Sequence, residues 1–191
     1  MTENLNRKKI SAIILSGGRG HRMLNQDKGL QQFGDKMLIE HLIERIQPQV
    51  DEIIISHNRN KEIYLHFGLP LVNDGNDEFQ GPLAGILGAK PQINHDLCFI
   101  APCDMPDIPL DIVEKLRKHL GHHDAVTVSL DGKNQPLLTL VRTQHIDSIK
   151  FYLDSGKRSV IAWLETLDLE VLELTGFKLK NINSRDQLVL K

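Results

Sequence analysis

The chain has 191 residues, 40% hydrophobic and 25% charged, with a formal net charge of -2 and a sequence pI near 6.5. That length and apolar content suffice for one sizeable core without covalent staples, and the near-neutral balance offers no basic field for nucleic acid. No apolar run approaches a membrane span, and Met1–Lys9 carries basic residues without a signal-peptide core behind them, so a cytoplasmic protein with no membrane partner is expected.

The first apolar run, Ile10–Leu15, is expected to be a buried strand. Met37–Ile46 then has helical periodicity and stops before Pro48. Ile53–Ile55 is expected as a second strand and Leu71–Val72 as a short third. A helix starting at Pro82 places proline where its missing N–H costs little. Leu97–Ala101 is the next strand, and a helix after Pro109 has Ile112, Val113, Leu116 and Leu120 on one stripe. Ala125–Val128 and Pro136–Val141 are further strands, His145–Leu153 and Val160–Leu164 helical stretches, and Val171–Leu174 a late strand expected to run antiparallel at an edge.

These strands are continuous apolar runs rather than alternating ones, so both of their faces should be covered. The alternation of strand and helix argues an α/β fold: one doubly wound, mostly parallel sheet with helices on both faces. A single domain over residues 1–191 is expected. Cys98 and Cys103 lack metal or disulfide spacing and suggest reduced thiols. The nine histidines, His122-His123 included, are expected at the surface rather than on a metal.

The chemistry is concentrated just after the first strand. Gly17, Gly18 and Gly20 expose backbone N–H groups, and Arg22 and Lys28 add positive charge within the same excursion, which makes a phosphate cradle. It is not a P-loop, because no Gly-Lys-Ser/Thr tripeptide follows Gly17, and Met23 stands where a dinucleotide fingerprint needs its third glycine. Arg22 grips oxygens as a fork, whereas Lys28 is a mobile point charge. Lys28 could instead pair with Asp27, but adjacent side chains in an extended loop diverge.

Asp104, between Pro102 and Pro106, is the expected Mg²⁺ ligand. A bare carboxylate facing a triphosphate is repelled by about 4 kcal/mol per charge pair at 4 Å in an effective dielectric near 20. A Mg²⁺ ion between the two turns that repulsion into attraction, and Mg²⁺ commonly takes one or two carboxylates with phosphate oxygens and water. Asn58, Asp74 and Asp104 each follow a strand, as the glycine loop does, where open α/β sheets bind ligands. By spacing alone, Asp74 is equally a turn residue. Gly81–Gly85 opens a helix and is expected as a supporting wall of the pocket, with tight helix packing as the alternative.

Leu15-Ser16-Gly17-Gly18 through Arg22-Met23, Asp27–Leu30, Gly81–Gly85, Pro102–Pro106 and Asn181-Ile182-Asn183 together resemble the signatures of the molybdenum cofactor guanylyltransferases, in the same order along nearly the whole chain. The resemblance implies an enzyme that transfers GMP from GTP to Mo-molybdopterin, giving the guanine dinucleotide cofactor and pyrophosphate. It implies nucleotide contacts at Leu15, Ser16, Gly17, Gly18, Lys28 and Asp74, with the N-terminal part holding GTP. The C-terminal part would hold molybdopterin, with Arg158 near its phosphate and Asn181 and Asn183 on the ligand. Asn183 is equally suited to cap a final helix. Molybdoenzyme apoproteins and other proteins of cofactor biosynthesis are the implied partners.

The chain departs from the family pattern at Ser16, usually Ala; at Leu24-Asn25, usually Gly-Gly; at Ser56, often Asn; and at Ser184-Arg185, usually Thr-Pro. A cytidylyl, sugar or isoprenoid nucleotidyltransferase, or a non-catalytic GTP-binding module, is the alternative.

Overall fold

The computed structural model describes residues 8–16, 27–73 and 81–176. Strand β1 (Ile10–Leu15) leads through a two-residue hairpin, β2 (Gln32–Phe33) and β3 (Lys36–Met37), into helix α1 (Leu38–Ile46). There follow β4 (Glu52–His57), α2 (Lys61–Tyr64), β5 (Leu71–Asn73), α3 (Pro82–Ala89), β6 (Leu97–Pro102) and α4 (Ile112–Leu120). The chain continues as β7 (Ala125–Leu130), β8 (Lys133–Arg142), α5 (Ser148–Asp154), α6 (Val160–Leu164) and β9 (Leu169–Glu173).

Seven of these strands form one sheet in the order β5-β4-β1-β6-β8-β7-β9. β5, β4, β1 and β6 are mutually parallel, and β8 is antiparallel to both its neighbours. β9 runs parallel to β7, not antiparallel as its edge position suggested. The cause is the crossover: β8 descends to the amino edge, and α5 and α6 together return the chain to that edge before β9 begins.

Alternate residues of the central strands feed two cores. Ile10, Ala12 and Ile14 of β1 pack with Ile53, Ile55, Leu97 and Phe99 beneath α1 and α4. Ile13, Ile54, Cys98 and Ile100 face the other way, under α3, α5 and α6. Burial on both faces explains why the strands read as continuous apolar runs. Trp163 of α6, the chain's one tryptophan, is fully buried and donates from Nε1 to Ser148 Oγ at 3.0 Å.

Helix ends are tied by named side chains. Glu40 accepts the Met37 N–H at 2.6 Å, which closes the first turn of α1. Gln49 reaches across from the end of α1 to accept the Val113 N–H at 2.9 Å, doing for α4 what its own N-cap Asp111 does not. Ser159 caps α6 by accepting from Ala162 N. Among the described residues no helix is long and apolar enough to cross a membrane.

Candidate active site

The chain lays β4 and β5 to one side of β1 and then places β6 on the other. A ligand crevice in a sheet of this kind lies outside the carboxyl ends of the strands where the order reverses. The loops after β1, β4, β5 and β6 all leave from that edge.

Two hydrogen bonds continue β1 past its last paired residue. Ser16 N donates to Ser56 O at 2.8 Å, and Cys103 N donates to Leu15 O at 3.1 Å. The Ser16 amide and the Leu15 carbonyl are therefore engaged with the strands on either side. Of the expected nucleotide contacts, Gly17, Gly18 and Asp74 lie outside the described residues, as do Arg22, Asn181 and Asn183. The departures at Leu24-Asn25 and Ser184-Arg185 lie outside them too.

Lys28 and Asp104 are brought together. Lys28 Nζ donates to Asp104 Oδ2 at 3.0 Å, with both side chains partly buried. Asp104 stands in the turn after β6, and the residues beyond it are sunk in the core: Met105 is 4% exposed and Ile108 is fully buried. Arg45 of α1 donates to the Ile108 carbonyl at 3.0 Å and lies 3.6 Å from Asp107. This loop is anchored on both sides of Asp104.

Lys28 belongs to a short strap, residues 27–31, that is tied just as closely. Gln31 N donates to Lys28 O, and Ile39 N, in the first turn of α1, donates to Gly29 O at 3.0 Å. Asp27 turns the opposite way from Lys28. Its carboxylate accepts from Tyr64 Oη at 2.7 Å, from Gly29 N at 3.2 Å and from Asn60 Nδ2 at 3.3 Å. Burial raises the Asp27 pKa above the ordinary carboxylate value, and the bonds from Tyr64, Asn60 and Gly29 offset that only in part. A Cβ on Gly29 would sit 2.9 Å from Tyr64 Oη and 3.2 Å from Ser16 Oγ, so glycine is what lets the strap lie flat on its support.

The two carboxylates of this edge therefore differ in kind. Asp27 is ringed by three donors and suits a structural role. Asp104 faces Lys28 across 3.0 Å at the mouth of the crevice, and its hard oxygen donors fit a divalent ion such as Mg²⁺. The sequence reading did not identify the Asp27–Tyr64–Asn60 group. Asp27 was visible inside the Asp-Lys-Gly-Leu motif, but four-residue α2 has too short a pattern to announce that Tyr64 is buried beneath it.

Within Gly81–Gly85, Gly85 is a point of close packing. A Cβ there would lie 2.6 Å from Ser56 Oγ and 3.2 Å from Leu15 Cδ2. Ser56 itself is buried under α3. Arg158, in the turn between α5 and α6, uses Nη1 on the carbonyls of Leu153 and Lys157 at 2.8 and 2.7 Å, which closes the end of α5.

The histidine-rich turn lies at the other edge of the sheet, ahead of β7 and β9. His123 Nδ1 is 3.0 Å from Asp168 Oδ1 and its Nε2 is 3.6 Å from Glu170, while His145 Nε2 is 3.0 Å from Asp124. His122 and Asp168 are exposed, and His122, His123 and Asp168 have side-chain ligand atoms within 4.8 Å of one another. Cys98 and Cys103 are free thiols, both buried, and burial pushes both pKa values up.

A mostly parallel sheet with a cation and a carboxylate opposed at its switch point is an arrangement suited to a nucleotide and its phosphates. The comparisons agree: residues 12–168 match the MobA-like NTP transferase domain, and the chain belongs to that family. It is 42% identical over 157 residues to the molybdenum cofactor guanylyltransferase of Shewanella woodyi, covering 81% of this chain and 80% of that one. It is 35% identical over 184 residues to the enzyme of the same name from Haemophilus influenzae, covering 94% and 95%.

Solved structures share the fold. A molybdopterin-guanine dinucleotide biosynthesis protein A from Archaeoglobus fulgidus superposes with a TM-score of 0.75 at 23% identity, over 93% of this chain and 94% of that one. The 4-diphosphocytidyl-2C-methyl-D-erythritol synthase of Anaerococcus prevotii does so with a TM-score of 0.77 at 14% identity, over 96% and 94%.

Proposed function

We propose that this protein transfers GMP from GTP to the molybdenum cofactor, Mo-molybdopterin, releasing pyrophosphate. The observation that carries the reading is the Lys28–Asp104 pair at the switch point, in a chain whose relatives bear the guanylyltransferase name. The terminal phosphate of the pterin attacks the α-phosphorus of GTP in line, a P–O bond forms there, and the bond to the β-phosphate oxygen breaks. The nucleophile is already ionised at neutral pH, so no protein nucleophile is required. What the chain supplies is positioning and charge neutralisation.

In this reading Lys28 and Arg22 hold phosphate oxygens, and the amides of Gly17 and Gly18 take further ones. Asp104 holds Mg²⁺, which supplies charge neutralisation on the phosphates when bound. Leu15 and Ser16 shape the floor of the cradle, and Asp74 receives the N–H groups of guanine. Arg158, Asn181 and Asn183 hold the pterin substrate. The reaction is placed in the cytoplasm, with the product passing to molybdoenzyme apoproteins.

The test is pyrophosphate release with Mg²⁺ and molybdopterin, each nucleoside triphosphate being offered in turn. GTP is expected to be the productive donor. Turnover with CTP instead would move the protein to a cytidylyl activity. GTP binding without pyrophosphate release would make it an accessory module.

A further inference from the structure

The residue before Lys28 is bolted down. Asp27 and Lys28 point to opposite sides of the strap, Asp27 into the protein and Lys28 towards Asp104. The bolt is completed from a separate part of the chain. Tyr64 comes from α2, is fully buried, and donates its hydroxyl to Asp27 Oδ1 at 2.7 Å. Its ring is stacked on His57 at the carboxyl end of β4, with centroids 5.7 Å apart, and it meets Phe67 at 6.1 Å.

Tyr64 thus spans from the strand that borders the crevice to the strap that carries its cation. A buried phenol needs a hydrogen-bond partner, and any backbone carbonyl would satisfy it. Here the partner is a carboxylate that burial disfavours in its charged form. That carboxylate also accepts the Gly29 N–H, so a single group locks both the strap and the tyrosine. Because residue 29 is glycine, the hydroxyl has the room it needs to reach Asp27: a Cβ there would sit 2.9 Å from Tyr64 Oη.

We propose that Tyr64 is a positioning residue for nucleotidyl transfer: acting through Asp27, it sets the place of Lys28 opposite Asp104. The proposal rests on the reading of Lys28 as a phosphate-binding group. It assigns Tyr64 no contact with substrate. Its effect runs from Tyr64 through Asp27 and the strap to Lys28, and that route can be cut at either end.

The experiment is a double-mutant cycle on the intact protein with Tyr64→Phe, Lys28→Ala and both together. Tyr64→Phe is expected to lower kcat for GTP-dependent pyrophosphate release about tenfold while KM for GTP moves less than about twofold, because misplacing Lys28 costs charge stabilisation in the transition state. In the Lys28→Ala background the same change is expected to cost nothing further. Losses that multiply in the double variant, or a Tyr64→Phe protein with unaltered kcat, would overturn the proposal.

A second measurement needs no substrate. Labelling of the folded protein with an amine reagent, mapped by peptide mass, is expected to modify Lys28 several-fold faster in Tyr64→Phe than in the parent, with exposed Lys150 as the internal standard. An unchanged Lys28 labelling rate overturns the positioning role. Faster labelling together with a parent protein that releases no pyrophosphate upholds the strap and defeats the guanylyltransferase reading, so the two failures are told apart.

Discussion

Lys28 and Asp104 are separated by 76 positions in the chain and by 3.0 Å between Nζ and Oδ2. Two anchored loops meet there, one hung on α1 and α2, the other sunk into the core through Met105 and Ile108. For a partly buried ion pair the cost of desolvation offsets much of the Coulombic attraction, so the meeting of these loops has little to do with stability. In the proposed reaction it holds ready a cation for phosphate and a carboxylate for metal.

Lys28→Ala and Asp104→Asn should therefore spare the fold and damage the reaction. Each is expected to lower kcat by about 10²–10³, the loss typical of one preorganised transition-state group. Steady-state pyrophosphate release, beside thermal unfolding of the same samples, checks both halves. A variant that keeps parental turnover at saturating Mg²⁺ would remove its residue from the mechanism.

Gly85→Ala is expected to destabilise the protein by about 1–3 kcal/mol through overpacking. The added Cβ has only 2.6 Å to Ser56 Oγ. The companion change Ser56→Ala removes that oxygen, and the double variant should recover most of the loss. Denaturant unfolding of the two single variants and the pair reads the coupling directly.

Glu52 predicts a pH dependence. Burial would raise its pKa, but donors outweigh it: Asn94 gives both its Nδ2 and backbone N–H groups, and Ser11 gives its hydroxyl, so the pKa falls below the ordinary 4.5. A carboxylate with a depressed native pKa contributes stability that is present above its unfolded pKa and is lost as pH falls through the native one. Glu52→Gln should therefore show a shallower fall in thermal midpoint than the parent below about pH 4.5. Equal slopes would mean that the Asn94 bonds add nothing in solution.

Trp163→Ala should cost about 3–5 kcal/mol, the range for deleting a buried aromatic. As the single tryptophan, fully buried with Nε1 on Ser148, Trp163 should also emit at short wavelength in the native protein and shift to the red on unfolding. The red shift is read from the fluorescence of the parent, and the stability loss from circular dichroism during denaturation of both proteins, since the variant has no tryptophan.

Legibility followed segment length. β1, β4, β6 and β7 were readable because their runs are apolar on both faces, and α4 because Ile112, Val113, Leu116 and Leu120 lie on one stripe and are all buried. The β2–β3 hairpin was not: strands of two residues have no period to detect. β8 begins three residues before the expected Pro136, because Lys133, Asn134 and Gln135 are polar and pair with the end of β7. A signal was present there, since Asp131-Gly132 has positive φ at both positions, 48° and 74°, as a tight hairpin turn requires.

At the site, strand ends marked where Lys28 and Asp104 should lie, and the fold brings them together. Pattern said nothing of Tyr64, because a contact 37 positions distant leaves no local trace. The direction of β9 was equally hidden: orientation at an edge depends on where the preceding helices release the chain, not on the strand's own residues.

The opposed aim of Asp27 and Lys28 means that neighbours in sequence are not exchangeable. Swapping the two letters would keep mass, net charge and mean hydropathy untouched. It would nonetheless bury an ammonium among three hydrogen-bond donors and turn a carboxylate towards Asp104. Every bulk property of the chain is blind to that exchange, and Asp104 would lose the cation it faces.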